Sequence, residues 1–252
     1  MSAGTQAAQA VKHQGHHIVP GLWSPAECRR LRGALDELWR RMRGGACSGD
    51  FGFIIHPLLP RMPGLIDLYT RPEVVEMLSA ILDDEPRLAH NGALISDHRR
   101  TFTPWHYHRN DSYEPQVWDP SRAERPGRIQ RVLAQVYLDG SNPEVGELLL
   151  VPRAVDDPLA PPRVDPQVEW PEQVVVQCPP GSLVIFDQSV FHAARGGACP
   201  ERRHLVGGHY QGWSDATPHR EDNLALSRSV AAAATANPLL ARLLLPPEPV
   251  WS

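Results

Sequence analysis

Hydrophobic positions recur every three or four residues in the first third of the chain, and in short dense runs after about residue 85. In SPAECRRLRGALDELWRRMR (24–43), Leu31, Leu35, Leu38 and Met42 fall on one helical face and arginines cover the other. Ser24 stands at the N-cap, Pro25 at the first helical position and Glu27 at the capping-box position. RPEVVEMLSAILDD (71–84) repeats this grammar, with Pro72 near its start and Val75, Leu78 and Leu82 on one face. HHIVPGLWS (16–24) reads as a short strand ending in a turn, and the small, polar residues up to about 16 are expected to fray.

Beyond residue 85 the period changes. RLAHNGALIS (87–96), RIQRVLAQVYLD (128–139), GELLLVP (146–152), QVVVQCPPGSLVIFD (173–187) and RHLVGGHYQGW (203–213) are β-branched or aromatic-rich and separated by proline and glycine. That is the signature of an antiparallel β-domain. PRAVDDPLAPPRVDP (152–166) reads as a long loop at its mouth, and NLALSRSVAAAATANPLLARLLL (223–245) as a helix interrupted at Pro238. Helices first, strands next and one closing helix predict a single α+β unit, mainly β, of sandwich or jelly-roll type, over 1–252. Its helical part is expected at about 17–85, its β core at about 86–213 and its closing helix at about 220–245.

Composition adds exclusions. A formal net charge of -4 offers no footprint for nucleic acid or an anionic membrane. No run approaches the roughly 18 apolar residues of a membrane span. The first residues lack an apolar segment of signal-peptide length. Cys28, Cys47, Cys178 and Cys199 form no CxxC pair, so neither a disulfide scaffold nor a zinc site is expected. A cytoplasmic protein with reduced thiols is the expectation, and the sequence leaves its oligomeric state open.

Candidate chemistry concentrates in two places. In TPWHYHRNDSY (103–113), His106 and His108 are two apart, which in a strand puts both on one face. With 12 histidines in the chain, that pair alone is a weak signal. The second place is PPGSLVIFDQSVFHAARGGACPERRHLVGG (179–208), where His192 follows a strand and Arg203 comes eleven residues later. Non-haem iron oxygenases need two histidines and a further ligand on one face of the metal, with open positions for oxygen and a chelating co-substrate. They also need an arginine for that co-substrate's far carboxylate.

These segments together resemble the phytanoyl-CoA dioxygenase-like branch of the Fe(II)/2-oxoglutarate oxygenases. HHIVPGLWSPAECRRLRGAL resembles the family's opening strand and helix, TPWHYH its PWHxD segment, VGELLLVPRA its GxLxxVPGSH strand, and GSLVIFDQSVFH with Arg203 its distal histidine–arginine module. The resemblance implies a double-stranded β-helix (a cupin-like jelly roll) with flanking helices, and Fe(II) and 2-oxoglutarate as cofactors. His106 matches the first metal histidine, His192 the distal one and Arg203 the arginine that clamps 2-oxoglutarate. Arg202 and Arg195 are near misses, since Arg202 would point to the other face of an extended strand. Asn91 is a further candidate contact to the co-substrate, or else a turn residue before Gly92.

The departure is at the carboxylate. Where the family carries aspartate, this chain has His108. Three arrangements stay open: His106, His108 and His192 as an all-imidazole set; a shifted register with His108 as first ligand and Asn110 or Asp111 in the carboxylate role; or Asp111 joining His106 across a bulge. A halogenase is disfavoured, because those members vacate this position with a small residue. Trp105, Tyr107, Tyr113 and Trp118 are candidates for a substrate pocket, with packing as the alternative role. His204 and His209 are expected to be surface or core residues.

The resulting expectation is an oxygenase that couples 2-oxoglutarate decarboxylation to oxidation, usually hydroxylation, of a C–H bond in a small molecule, with O2 as co-substrate. The alternatives are a three-histidine cupin-type dioxygenase that needs no keto acid, and a non-catalytic binding protein on the same fold.

Overall fold

The computed structural model describes residues 1–42, 52–108, 128–157, 165, 168–215 and 237–244. Its helices are α1 (Ala3–Gln14), α2 (Pro25–Met42), α3 (Ile66–Tyr69), α4 (Pro72–Leu82) and α5 (Pro238–Leu244). Its strands are β1 (His16–Val19), β2 (Phe53–Ile55), β3 (Pro86–Ser96), β4 (Thr103–His106), β5 (Arg131–Tyr137), β6 (Leu148–Leu150), β7 (Val174–Val176), β8 (Ser182–Asp187), β9 (His192–Ala194) and β10 (Arg203–Gly212). They form a six-stranded sheet in the order β1-β8-β5-β10-β3-β2 and a four-stranded sheet in the order β4-β9-β6-β7, with every pairing antiparallel. This is the two-sheeted jelly roll that the strand spacing predicts.

The dense apolar runs follow from burial on both faces of each sheet. On β5, Val132, Ala134 and Val136 join the helices in one core, while Leu133 and Tyr137 turn into the space between the sheets. On β8, Leu183 and Ile185 face the helices, and Val184 and Phe186 face inward. The small sheet repeats the arrangement: Leu148 and Leu150 of β6 point inward, and Leu149 points outward into a third cluster with Trp105, Trp170 and Phe191. Polar side chains on inward positions therefore have few places to be, and those that occur define the site.

The helical caps are as expected. Glu27 N–H donates to Ser24 Oγ (3.3 Å) and Ser24 N–H to Glu27 Oε2 (2.7 Å), a capping box that contributes about 1 kcal/mol. Leu240 N–H donates to Asn237 Oδ1 (3.1 Å), so Asn237 caps α5 and Pro238 begins it where an interruption was expected. The earlier part of the expected closing helix lies outside the described residues. Cys28 and Cys178 are buried free thiols and Cys199 is half-buried. Cys47 lies outside the described residues. No helix among the described residues is long and apolar enough to cross a membrane.

Two expectations are corrected. The first residues do not fray: Ser2 accepts from Thr5 N–H (3.2 Å), Gly15 closes the helix in the left-handed region, and Gly4, Ala7 and Val11 bury a thin stripe against α4. Small residues make this packing feasible, because a Cβ at Gly4 would stand 3.2 Å from that of Ala80. Within the expected helical part, Phe53–Ile55 is a strand that pairs with β3. The α1 packing has a direct test by chemical denaturation. Ala7→Asp, which buries a charge, should cost roughly 2–4 kcal/mol, whereas Gln9→Glu on the exposed face should be near neutral. Equal and negligible effects would mean that α1 contributes nothing.

Candidate metal centre

Strand β4 pairs with β9 so that His106 lies directly opposite His192, and a register irregularity separates that pair from Thr103↔Ala194. His192 also pairs with Leu150 of β6 in the middle of the small sheet. Two turns hold the ladder at its end. Asp187 Oδ1 accepts from Ser189 N–H (3.0 Å) and its carbonyl from Val190 N–H (3.0 Å). Past the end of β4, His108 N–H donates to the Gln188 carbonyl (3.0 Å), so His108 stays stapled beside the ladder.

This brings His106, His108 and His192 together, all buried, with one nitrogen of each lying within 4.8 Å of the others. His106 Nδ1–H donates to the Pro104 carbonyl (2.7 Å) and His192 Nδ1–H to the Val190 carbonyl (3.2 Å). Those bonds place the lone pairs on Nε2, the tautomer that ligation requires. His108 Nε2 and His192 Nε2 stand 3.2 Å apart. One ion with metal–nitrogen bonds of about 2.1 Å reaches both. Burial, then the neighbouring His106 and His108, holds the His192 imidazole well below its ordinary pKa, so the ring is neutral and available. Among the described residues, no carboxylate joins the three rings. Asn110 and Asp111, the other ligand candidates, and Tyr113 and Trp118 lie outside the described residues.

The rings open on a cavity of about 160 Å3 between the sheets. Its floor is open because Gly207 of β10 pairs with Gly92 of β3 and Gln135 of β5, so two of three adjacent positions carry no side chain. A Cβ on Gly207 would collide with the Ala134 carbonyl oxygen. Arg203, 3% exposed, lines the same cavity. Its guanidinium lies 5.3 Å over the Tyr137 ring, its Nε has no hydrogen-bond partner, and among the described residues no carboxylate pairs with it. Burial lowers its pKa, and the guanidinium nonetheless remains a cation at neutral pH.

The two near misses are occupied elsewhere. Arg202 donates to Asp36 (2.8 Å) and stacks 3.9 Å over Trp39 of α2, on the opposite face of β10 as strand alternation requires. Arg195 pairs with Glu169 (2.7 Å) and Glu147 (3.4 Å). Asn91 does not face the cavity: its side-chain oxygen accepts the N–H groups of Leu58 and Leu59, both at 2.9 Å. It fixes the loop after β2, which answers to neither of the roles expected for it. Trp105 stacks on Trp170 (4.6 Å) and Tyr107 meets Phe191 edge-on (4.8 Å), both behind the small sheet, so both pack rather than line the cavity.

The sequence reading did not foresee the cavity role of several residues, among them His209, expected as a surface or core residue and found buried in the cavity lining. His209 meets His108 edge-on at 4.9 Å and His90 at 4.8 Å. Arg131 Nη2 donates to His209 Nδ1 (3.3 Å), which leaves the ring hydrogen on Nε2. The signal was present, since counting by twos along β10 from Arg203 through Leu205 and Gly207 reaches His209. Arg100 and Thr103 also line the cavity, and no spacing argument pointed to them. His204 is buried on the other face between Asp139 (2.9 Å) and Asp36 (3.1 Å), and is a core residue as expected.

The comparisons with known proteins follow the same line. The family model for phytanoyl-CoA dioxygenase matches residues 11–205. Curated proteins give no match in sequence. Among solved structures, HygX from Streptomyces hygroscopicus, with nickel and 2-oxoglutarate bound, superposes with a TM-score of 0.67 at 16% identity, over 84% of this chain and 87% of its own. SnoK, a non-heme alpha ketoglutarate dependent carbocyclase from nogalamycin biosynthesis, gives 0.64 at 19% identity, over 84% of each chain. EctD from S. alaskensis with bound Fe gives 0.63 at 16% identity, over 87% of this chain and 79% of its own. At such identities the likeness to these structures is one of fold. The family model spans most of the chain, and the chain belongs to the phytanoyl-CoA dioxygenase family of Fe(II)/2-oxoglutarate-dependent oxygenases.

Proposed function

We propose that His106, His108 and His192 hold the iron, that Arg203 binds the far carboxylate of 2-oxoglutarate, and that the enzyme oxidises, by hydroxylation, a C–H bond of a small molecule. One observation carries this reading: a buried guanidinium without an acid partner among the described residues lines the same cavity as three converging imidazoles. A buried cation is costly unless paired, and a carboxylate accepting a bidentate bond from Arg203 supplies the pair. With iron held by the three histidines and the keto acid held by Arg203, the site would use O2 as the oxidant, one oxygen atom ending in the succinate formed with CO2 and the other in the hydroxyl group on the substrate carbon.

The chain's own residues bind, orient and exclude water. The backbone bonds to His106 and His192 fix the ring tautomers before any ion arrives. Leu148, Leu205 and Tyr137 line the walls, and the Trp105–Trp170 stack seals the small sheet from behind. His90, His209 and Gln135 supply polar groups along the rest of the cavity, where a substrate's own polar atoms would be held. The same three histidines would suit a dioxygenase that uses its substrate as chelator. Arg203 favours the keto acid, because such a dioxygenase has no need of it.

Two measurements test the reading. Succinate should accumulate only with added Fe(II), and Arg203→Leu should lower kcat/KM for 2-oxoglutarate by at least about a hundredfold, as expected for truncating a buried charge partner. Fe(II)-loaded protein that never consumes 2-oxoglutarate with any substrate would contradict it. The second concerns charge. Three neutral ligands leave a divalent ion unbalanced, so 2-oxoglutarate should tighten Mn(II) binding by about tenfold or more, and Mn(II) should tighten 2-oxoglutarate equally. His108→Asp restores a carboxylate, so it should bind Mn(II) alone at least about tenfold more tightly and weaken that coupling. If His108→Asp and His108→Ala leave Mn(II) affinity unchanged in folded protein, His108 is not a ligand.

A further inference from the structure

Arg203 is not the only buried cation at its end of the cavity. Arg100, 2% exposed, lines the same wall four residues after β3 ends. Its Nη1 donates to Thr103 Oγ1 (2.8 Å) and to the Ala194 carbonyl (3.5 Å), and its Nη2 donates to the Arg195 carbonyl. Thr103 and Ala194 are partners across β4 and β9 in the ladder that carries His106 and His192. The guanidinium is therefore held in one orientation by the same strands that set the metal ligands. Its Nε has no hydrogen-bond partner, as for Arg203, and no carboxylate lies within salt-bridge distance of either arginine among the described residues.

Carbonyl oxygens satisfy N–H groups but do not neutralise a charge. Burial, then the neighbouring Arg203, brings the Arg100 pKa down to about 9. Burial also lowers that of Arg203, against a partial offset from Tyr137, Asp139, Cys178 and Glu147, with neither carboxylate within salt-bridge distance of it among the described residues. An anion is what relieves two like charges buried in one cavity. We infer that Arg100 is a second cation of the anion-binding end, so that the far carboxylate of the keto acid lies between two guanidiniums, with Thr103 anchoring one of them. This rests on the assignment of Arg203 proposed above. It makes Arg100 a determinant of co-substrate choice: the cavity selects keto acids with a charged far end over those with an apolar one.

The test compares binding of 2-oxoglutarate with binding of 2-oxovalerate, which carries a methyl group in place of the far carboxylate. Affinities are read by calorimetry on Mn(II)-loaded protein without turnover. In Arg100→Gln, the preference for 2-oxoglutarate should fall by about tenfold, the loss expected for one charge-assisted contact. Arg100→Lys should keep the preference to within about threefold of the native protein. If Arg100 only ties backbone carbonyls, both ligands weaken alike and the preference does not move, which overturns the inference. Arg203→Leu separates the two proposals. A collapsed preference there with an unchanged one in Arg100→Gln sinks only the role of Arg100, whereas an unchanged preference in Arg203→Leu sinks the assignment beneath it. Where Arg100→Gln does not fold, Thr103→Val removes the side-chain anchor at similar volume. A lowered preference in that variant supports the inference and an unmoved one contradicts it.

Discussion

The architecture of the site depends on one cross-strand pair, His106 opposite His192 in the β4–β9 ladder. Directly opposed residues in an antiparallel pair hold their side chains side by side, and here that geometry joins positions distant in sequence. The Asp187 turn fixes where β9 begins, and the His108–Gln188 backbone bond keeps the third ring beside the first two. The outer layers serve that ladder. Trp105, Trp170 and Phe191 back the small sheet, and the helices bury the outer face of the large one.

Charge sets the character of the interior. Three imidazoles contribute no negative charge when they ligate an ion, and Arg203 and Arg100 contribute two positive ones. A family member with aspartate at position 108 would balance part of the metal's charge from within the protein. With the three histidines as the proposed ligands, that balance would come from the anion that enters, and metal binding and co-substrate binding would be tied together more closely. The row of imidazoles from His108 through His209 to His90 continues the polar lining of the cavity.

Much of this was legible in the sequence, for identifiable reasons. Period and turn residues located most of the core strands but neither β2 nor β9, both only three residues long, and alternation along β10 separated Arg203 from Arg202 before any contact was known. What escaped depended on partners. The stripe of α1 is made of Gly4, Ala7 and Val11, too slight to register as hydrophobic until α4 supplies the opposite surface. The face that Asn91 occupies is set by the pairing of Gly92 with Gly207, so position before the PWH segment was no guide to its role. Arg100 sits in a connection between strands, where no periodicity applies, and its importance comes from Arg203, about a hundred residues away along the chain.

The central claim is that three histidines bind the metal while Arg203 receives the co-substrate. An anaerobic crystal structure of the protein with Mn(II) and 2-oxoglutarate tests it most directly. The account predicts Nε2 of His106, His108 and His192 on the ion and the far carboxylate of the keto acid against Arg203. A carboxylate from Asp111 in place of His108, or a keto acid whose far end lies away from Arg203, would contradict it.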